Sequence, residues 1–215
     1  MKKSVKWKIA QQLEYKWWSR YLEDKNPEAY LKWKLSYWQD LLKSVEEVIP
    51  LPEQKTVLDA GCGPAGIFMA LHNNDVTAID PLLNKYKEFI HFDETKYPFV
   101  TFQQCTIEEL NEKEKFDYIF CLNAINHVND LELSYDKLIS ALKPNGYFIV
   151  STDVHRSSFL KKIFQWIPGD MLHPHQYSME EYDAFLKERR MKIIKNMLYK
   201  QELIFDYIIT IAQKL

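Results

Sequence analysis

Glycine is scarce in this chain, with five in 215 residues, and cysteine is scarcer still, with three. So little glycine excludes flexible glycine-rich linkers and low-complexity segments, and no internal repeat is visible either. Cys62, Cys105 and Cys121 are odd in number, far apart and without zinc-type spacing, which excludes a disulfide framework and fits a reduced, cytoplasmic protein. Charge of one sign is also missing: the formal net charge is −2, so no basic field invites nucleic acid. Lys2, Lys3, Lys6 and Lys8 read as a solvated N-terminal face rather than a binding patch. No apolar run is long enough to cross a bilayer, and no charged-then-apolar leader opens the chain, so neither a membrane partner nor secretion is expected.

Aromatic residues are plentiful, and five of the six tryptophans (Trp7, Trp17, Trp18, Trp33, Trp38) fall before residue 50. Asn26-Pro27 divides this stretch into two helices; in the second, Tyr30, Trp33, Tyr37 and Leu41 recur at helical spacing, widened by Trp38, Leu42 and Val45. Residues 1–49 are therefore expected to form a helical cap packed on the core, with part of its aromatic stripe roofing a ligand pocket. Trp18 and Tyr21 are its candidate substrate contacts.

From Thr56 onward, short apolar runs alternate with helical patterns. Strands are predicted at Thr56–Leu58, Val76–Ile79, Phe99–Gln103, Phe116–Leu122 and Tyr147–Ser151. Helices are predicted at Pro64–His72, from Pro81 through Ile90, at Leu131–Leu142, and from a Ser178-Met179-Glu180-Glu181 capping box to Arg190. Two extended stretches, Met191–Leu198 and Phe205–Gln213, form a hairpin. The fold class is thus α/β: a doubly wound, mostly parallel sheet ending in an antiparallel β-hairpin. It occupies residues 50–215 and carries an insertion at 153–177 with a short helix over 157–166.

Three of the five glycines lie within Gly61-Cys62-Gly63-Pro64-Ala65-Gly66, a strand-to-turn junction where backbone N–H groups can approach a ligand closely. Taken literally the hexapeptide fits G-x-G-x-x-G, and Asp80 follows about twenty residues on, which is the dinucleotide pattern and points to an NAD-type oxidoreductase. Two features oppose a diphosphate. Asp59 puts a carboxylate at the mouth of the loop, and Pro64 removes an N–H donor from it.

Val57-Leu58-Asp59-Ala60-Gly61-Cys62-Gly63 resembles the first motif of class I S-adenosylmethionine-dependent methyltransferases. The resemblance continues through Val76–Pro81, Phe116–Val128 and Leu142–Val150, so that residues 55–151 follow the family's order, and the terminal hairpin matches its antiparallel pair. Ala65 stands where many members carry a third glycine, and Cys105 where an acid or amide often meets the adenine. The resemblance implies a seven-stranded Rossmann-like methyltransferase fold and S-adenosyl-L-methionine as cofactor. It implies that Asp59, Ala60, Gly61, Cys62 and Gly63 hold the methionine end, and that Asp80, with Pro81 beside it, binds the ribose hydroxyls. Cys105, Thr106 and Ile107 would border the adenine, and Asn123 would lie under the amino-acid end.

Methyl transfer from a sulfonium is an in-line displacement in which positioning supplies much of the catalysis. His127, His155, His173 and His175 are the candidate catalytic residues: the first two follow the fourth and fifth strands, and the last two lie in a polar loop beside Tyr177, a further candidate substrate contact. No metal site is expected, because the His173–His175 pair lacks further ligands at plausible spacing. The expected activity is methylation of an oxygen or nitrogen atom of a small molecule, with no nucleic-acid partner and with a homodimer allowed. The rivals are an NAD-type oxidoreductase and a non-catalytic methyltransferase-like binding protein.

Overall fold

The computed structural model describes residues 5–155, 177–201 and 205–215. Two long helices come first, α1 (Val5–Glu23) and α2 (Pro27–Glu46). Asn26 caps α2, its Oδ1 accepting from the Ala29 N–H at 3.0 Å. Pro27 follows at a position where its missing N–H leaves nothing unpaired.

Seven strands follow: β1 (Thr56–Ala60), β2 (Asp75–Ile79), β3 (Val100–Gln103), β4 (Phe116–Cys121), β5 (Leu142–His155), β6 (Met191–Gln201) and β7 (Phe205–Lys214). They form one sheet in the order β3-β2-β1-β4-β5-β7-β6. The first five are parallel, and β7 runs antiparallel to both β5 and β6. The fold class is therefore the expected one. The chain's direction across the sheet reverses between β1 and β4, and open α/β sheets bind ligands at the carboxyl ends of such a switch.

Both faces of the sheet are covered, so β4 is buried along nearly its whole length. Side chains alternate across it. Val57, Val76 and Phe120 join a core with Leu22, Tyr30, Trp38 and Leu41 of α1 and α2. Leu58, Ile79 and Ile119 join a second core with Tyr135 and Leu138 of α4 (Leu131–Ala141) and Tyr182 and Leu186 of α5 (Met179–Glu188). Ser178 caps α5 in the predicted box, accepting from the Glu181 N–H at 3.4 Å while its own N–H meets the Glu181 carboxylate. No described helix is long and apolar enough to cross a membrane.

Two predicted helices are shortened. Pro64–His72 becomes one 3-10 turn, Ile67–Ala70. The Asn74 amide donates to Pro52 O at 3.0 Å and draws the chain straight into β2, leaving no room for further helical turns. The helix predicted from Pro81 is only α3 (Leu83–Tyr86), and Ile90, at its predicted far end, is 79% exposed. The strands β1, β2 and β5 run longer than their apolar cores, because backbone pairing continues past the last apolar side chain. The short helix expected over 157–166 lies outside the described residues.

Candidate functional site

The loop after β1 is tied to the end of β2. Gly61 and Cys62 N–H donate to Ile79 O at 2.8 and 3.0 Å. Gly61 and Gly63 have φ of 76° and 57°, values that favour glycine, and a Cβ on Gly61 would collide with Ala124. Asp80 holds the loop from beside it: Oδ2 accepts from Gly63 N–H at 3.0 Å and Oδ1 from Leu82 N–H at 2.8 Å.

Asp59 lies inside β1 rather than after it. Strand alternation places it on the face of Val57, towards α2, where it is 2% exposed and accepts from Phe68 N–H at 3.0 Å. Burial pushes its carboxyl up to about 7; the Phe68 N–H opposes that rise, nearby Asp80 adds to it, and Lys34 opposes it. Lys34 descends from α2, its ammonium pulled down to about 8 by burial and held up by Asp59. Its Nζ stands 4.6 Å from the centre of the Trp38 ring. Trp38 in turn donates Nε1–H to Ala65 O at 2.9 Å, fastening α2 to the glycine loop.

Above the loop is a cavity of about 130 Å³, open to solvent on one side. Gly61–Gly63 form its floor, Asp80 and Pro81 one side, and Cys105, Thr106 and Ile107 another. Leu122, Asn123, Ala124 and His127 line the end of β4. The roof comes from α1 (Trp7, Gln11, Glu14, Trp18) and α2 (Lys34, Trp38). Asn123 has φ 56°, and its N–H donates to Ser151 Oγ at 2.7 Å, which also pairs with the Tyr207 hydroxyl at 2.8 Å. A glycine cradle, three carboxylates and one buried ammonium in a single pocket can hold a ligand with both hydroxyl donors and charges of each sign.

The family model described as "Methyltransferase domain" matches residues 51–202. The chain belongs to this methyltransferase family. Curated relatives of the methyltransferase include the ubiquinone biosynthesis O-methyltransferase of Rickettsia conorii, 28% identical over 159 residues that cover 66% of this chain and 54% of the relative. The protein of the same name from Rickettsia akari is 34% identical over 141 residues, covering 61% and 53%. The chain spans about half the length of these relatives. Among solved structures, the 1,6-didemethyltoxoflavin-N1-methyltransferase of Burkholderia thailandensis, which holds 1,6-didemethyltoxoflavin and S-adenosylhomocysteine, superposes with a TM-score of 0.62. That match covers 96% of this chain and 87% of the other, at 16% identity.

The methyltransferase fold brings Gly61, Cys62, Gly63, Asp80, Pro81, Cys105, Thr106, Ile107, Asn123, His127 and Trp18 to the cavity wall. Asp59 and Ala60 lie within β1 and outside that wall. Tyr21 stacks on Trp17 with centroids 4.8 Å apart and stands outside it too. Tyr177 packs against Tyr182 and Phe185 on the α5 face of the methyltransferase. His155 ends β5, while His173 and His175 lie outside the described residues. The sequence reading passed over Gln11, Glu14 and Lys34. Trp7, Gln11, Glu14 and Trp18 are spaced along one face of α1, and Lys34 and Trp38 are four apart on α2, so helical phase is the signal that points to all of them.

Proposed function

We propose that this methyltransferase binds S-adenosyl-L-methionine in the cavity above Gly61–Gly63 and methylates an oxygen or nitrogen atom of a small molecule. The observation that carries the reading is the donor set: acids and a glycine cradle, with a single lysine at the Asp59 end. Asp80 and Glu14 suit a ligand with hydroxyl donors and positive charge, whereas the diphosphate of NAD would meet carboxylates. The two glycines keep Cβ atoms out of the cradle, and the buried Gln11 Oε1 has no hydrogen-bond partner of its own. The residues present therefore fit the cofactor.

When bound, the cofactor supplies an electrophilic methyl group on a sulfonium. The protein's residues position it. Asp80, already held by two backbone amides, is oriented to accept from the ribose. Lys34 is placed to meet the carboxylate of the methionine end. Cys105, Thr106 and Ile107 border the base. The acceptor molecule would enter from the side of Asn123 and His127. His127 is the one candidate base that lines the cavity among the described residues. Support for an oxygen acceptor comes from the O-methyltransferase relatives, and support for nitrogen from the N1-methyltransferase neighbour.

Calorimetry with S-adenosylhomocysteine and NAD side by side tests the cofactor. Binding of the homocysteine is expected, lost by at least tenfold in Asp80→Ala, and tight NAD binding without it would overturn the proposal. Labelled methyl transfer into a metabolite extract tests turnover. Cofactor binding with no labelled product would instead favour a non-catalytic binding protein.

A further inference from the structure

The roof of the cavity carries polar groups that no apolar cap needs. Gln11 is 8% exposed, and its Nε2 donates to Glu14 Oε2 at 3.1 Å. Its Oε1 is buried with no partner. Glu14 faces the same cavity as Asp80, whose charge disfavours ionisation of the Glu14 carboxyl. Burial raises the Glu14 carboxyl, the Asp80 charge raises it further, and contacts with Gln11 and Trp18 oppose the rise. A glutamate with a glutamine three residues before it is common on a solvated helix face, where water satisfies both. Here Gln11 is buried while Glu14 is half-buried at the cavity wall, and an unmatched buried acceptor is costly.

The arrangement is asymmetric in a telling way. Asp80 and the buried Gln11 Oε1 are acceptors only, and Glu14 is one whenever it is ionised. The one lysine in the cavity wall, Lys34, interacts with Asp59. Among the described residues, no group of three or more His, Cys, Asp or Glu side chains could hold a metal ion. Gly63 N–H, Leu82 N–H and the neighbouring Tyr86 already serve Asp80, and Gln11 and Trp18 serve Glu14, so the acceptor left without a donor is Gln11 Oε1, and a ligand in the cavity can supply donors to it and to the remaining lone pairs of the two carboxylates. Two hydroxyls on adjacent carbons supply such donors, with one directed to α1 and one to Asp80.

We infer that Glu14 and Gln11 of α1 form the second half of the ribose site, accepting hydrogen bonds from the cofactor's ribose hydroxyls opposite Asp80, so that α1 clamps the bound cofactor. This rests on the cofactor reading above. It assigns the N-terminal helix a binding role distinct from packing, and it makes the diol the part of the cofactor that the helix reads.

The test is calorimetry on the full chain with two probes, S-adenosylhomocysteine and its 2′,3′-dideoxy analogue, using the parent protein, Glu14→Gln and Gln11→Leu. The expected result is a loss of about tenfold or more in affinity for the first probe in each variant, with little further loss for the analogue. Equal affinities in parent and variants would overturn the inference, and so would an equal loss for both probes, which marks a packing effect. If the parent binds neither probe, the cofactor reading itself falls, a failure separable from that of the clamp alone. Glu14→Gln removes one of two facing acids and is expected to melt no lower than the parent, and Gln11→Leu provides the independent arm.

Discussion

The floor and the roof of the cavity are built in opposite ways. The glycine loop contributes mostly backbone, with N–H groups and positive φ angles set by tight bonds between the ends of β1 and β2. The helices α1 and α2 contribute side chains only, brought in from residues 5–46 and fastened by contacts such as Trp38 Nε1–H to Ala65 O. A floor of this kind tolerates almost no substitution, because the constraint is on the presence of any Cβ at all. A roof of this kind can change its chemistry residue by residue while its helices stay in place. One region would hold what every ligand of this fold shares, and the other can be tuned.

Gly61→Val should break the floor outright. Positive φ at a β-branched residue costs about 1–3 kcal/mol, and the collision with Ala124 adds about 1–3 kcal/mol of overpacking. Urea unfolding should register that sum, and calorimetry the loss of S-adenosylhomocysteine binding. A variant as stable as the parent would show that the loop is more pliant than its geometry implies. Trp38→Phe tests how firmly the roof is attached. It keeps most of the apolar contact and leaves Ala65 O unpaired, at a cost of about 1–3 kcal/mol. Unlike Gly61→Val, it should still bind cofactor, more weakly; if binding vanished, floor and roof would be one unit.

The effect that is smallest over any single pH unit is a drift with pH. The Asp59 carboxyl is raised to about 7 in the folded protein, chiefly by burial, so the native state holds that proton more tightly than the unfolded chain. Its contribution is fully present below the ordinary aspartate range and is lost as pH rises towards 7. The melting temperature of the ligand-free protein should fall across that window, at about 1.4 kcal/mol per pH unit for the single group, and Asp59→Asn should flatten the fall. A melting temperature that rises over the same interval would mean that Asp59 is ionised in the folded state.

The floor was legible in the sequence and the roof only in its aromatic part, Trp18 and Trp38, while Gln11, Glu14 and Lys34 were not, and the reason is physical. Gly61, Gly63 and Asp80 sit at fixed short spacings along a strand-turn unit, so their proximity follows from local chain geometry. Glu14 meets Asp80 from 66 positions away in the chain, a proximity that depends on how α1 lies over the finished sheet. The two overestimated helices teach a related lesson. Ile67, Phe68, Ala70 and Leu71 have spacing that suits either a 3-10 turn or an α-helix, and only the pull of Asn74 towards Pro52 decides between them. Tyr21 stands outside the cavity wall for another reason: aromatic residues in α1 serve each other, and its ring is taken up by Trp17, Trp18 and Tyr30.

The sheet order carries a consequence for assembly. β7 follows β6 in the chain but lies between β5 and β6, and it bonds to both. β6 thus has no direct place on the parallel part of the sheet and can join only as the partner of β7. Until residues 205–214 dock against residues 147–155, the β5 edge stays open, next to the hydroxyl of Ser151 that steadies Asn123. Docking pairs residues about sixty positions apart, a slow kind of closure for a chain to make. The Asn123 side of the cavity is in this sense the part of the molecule finished late, and a destabilised hairpin would be felt there before it reached the glycine loop.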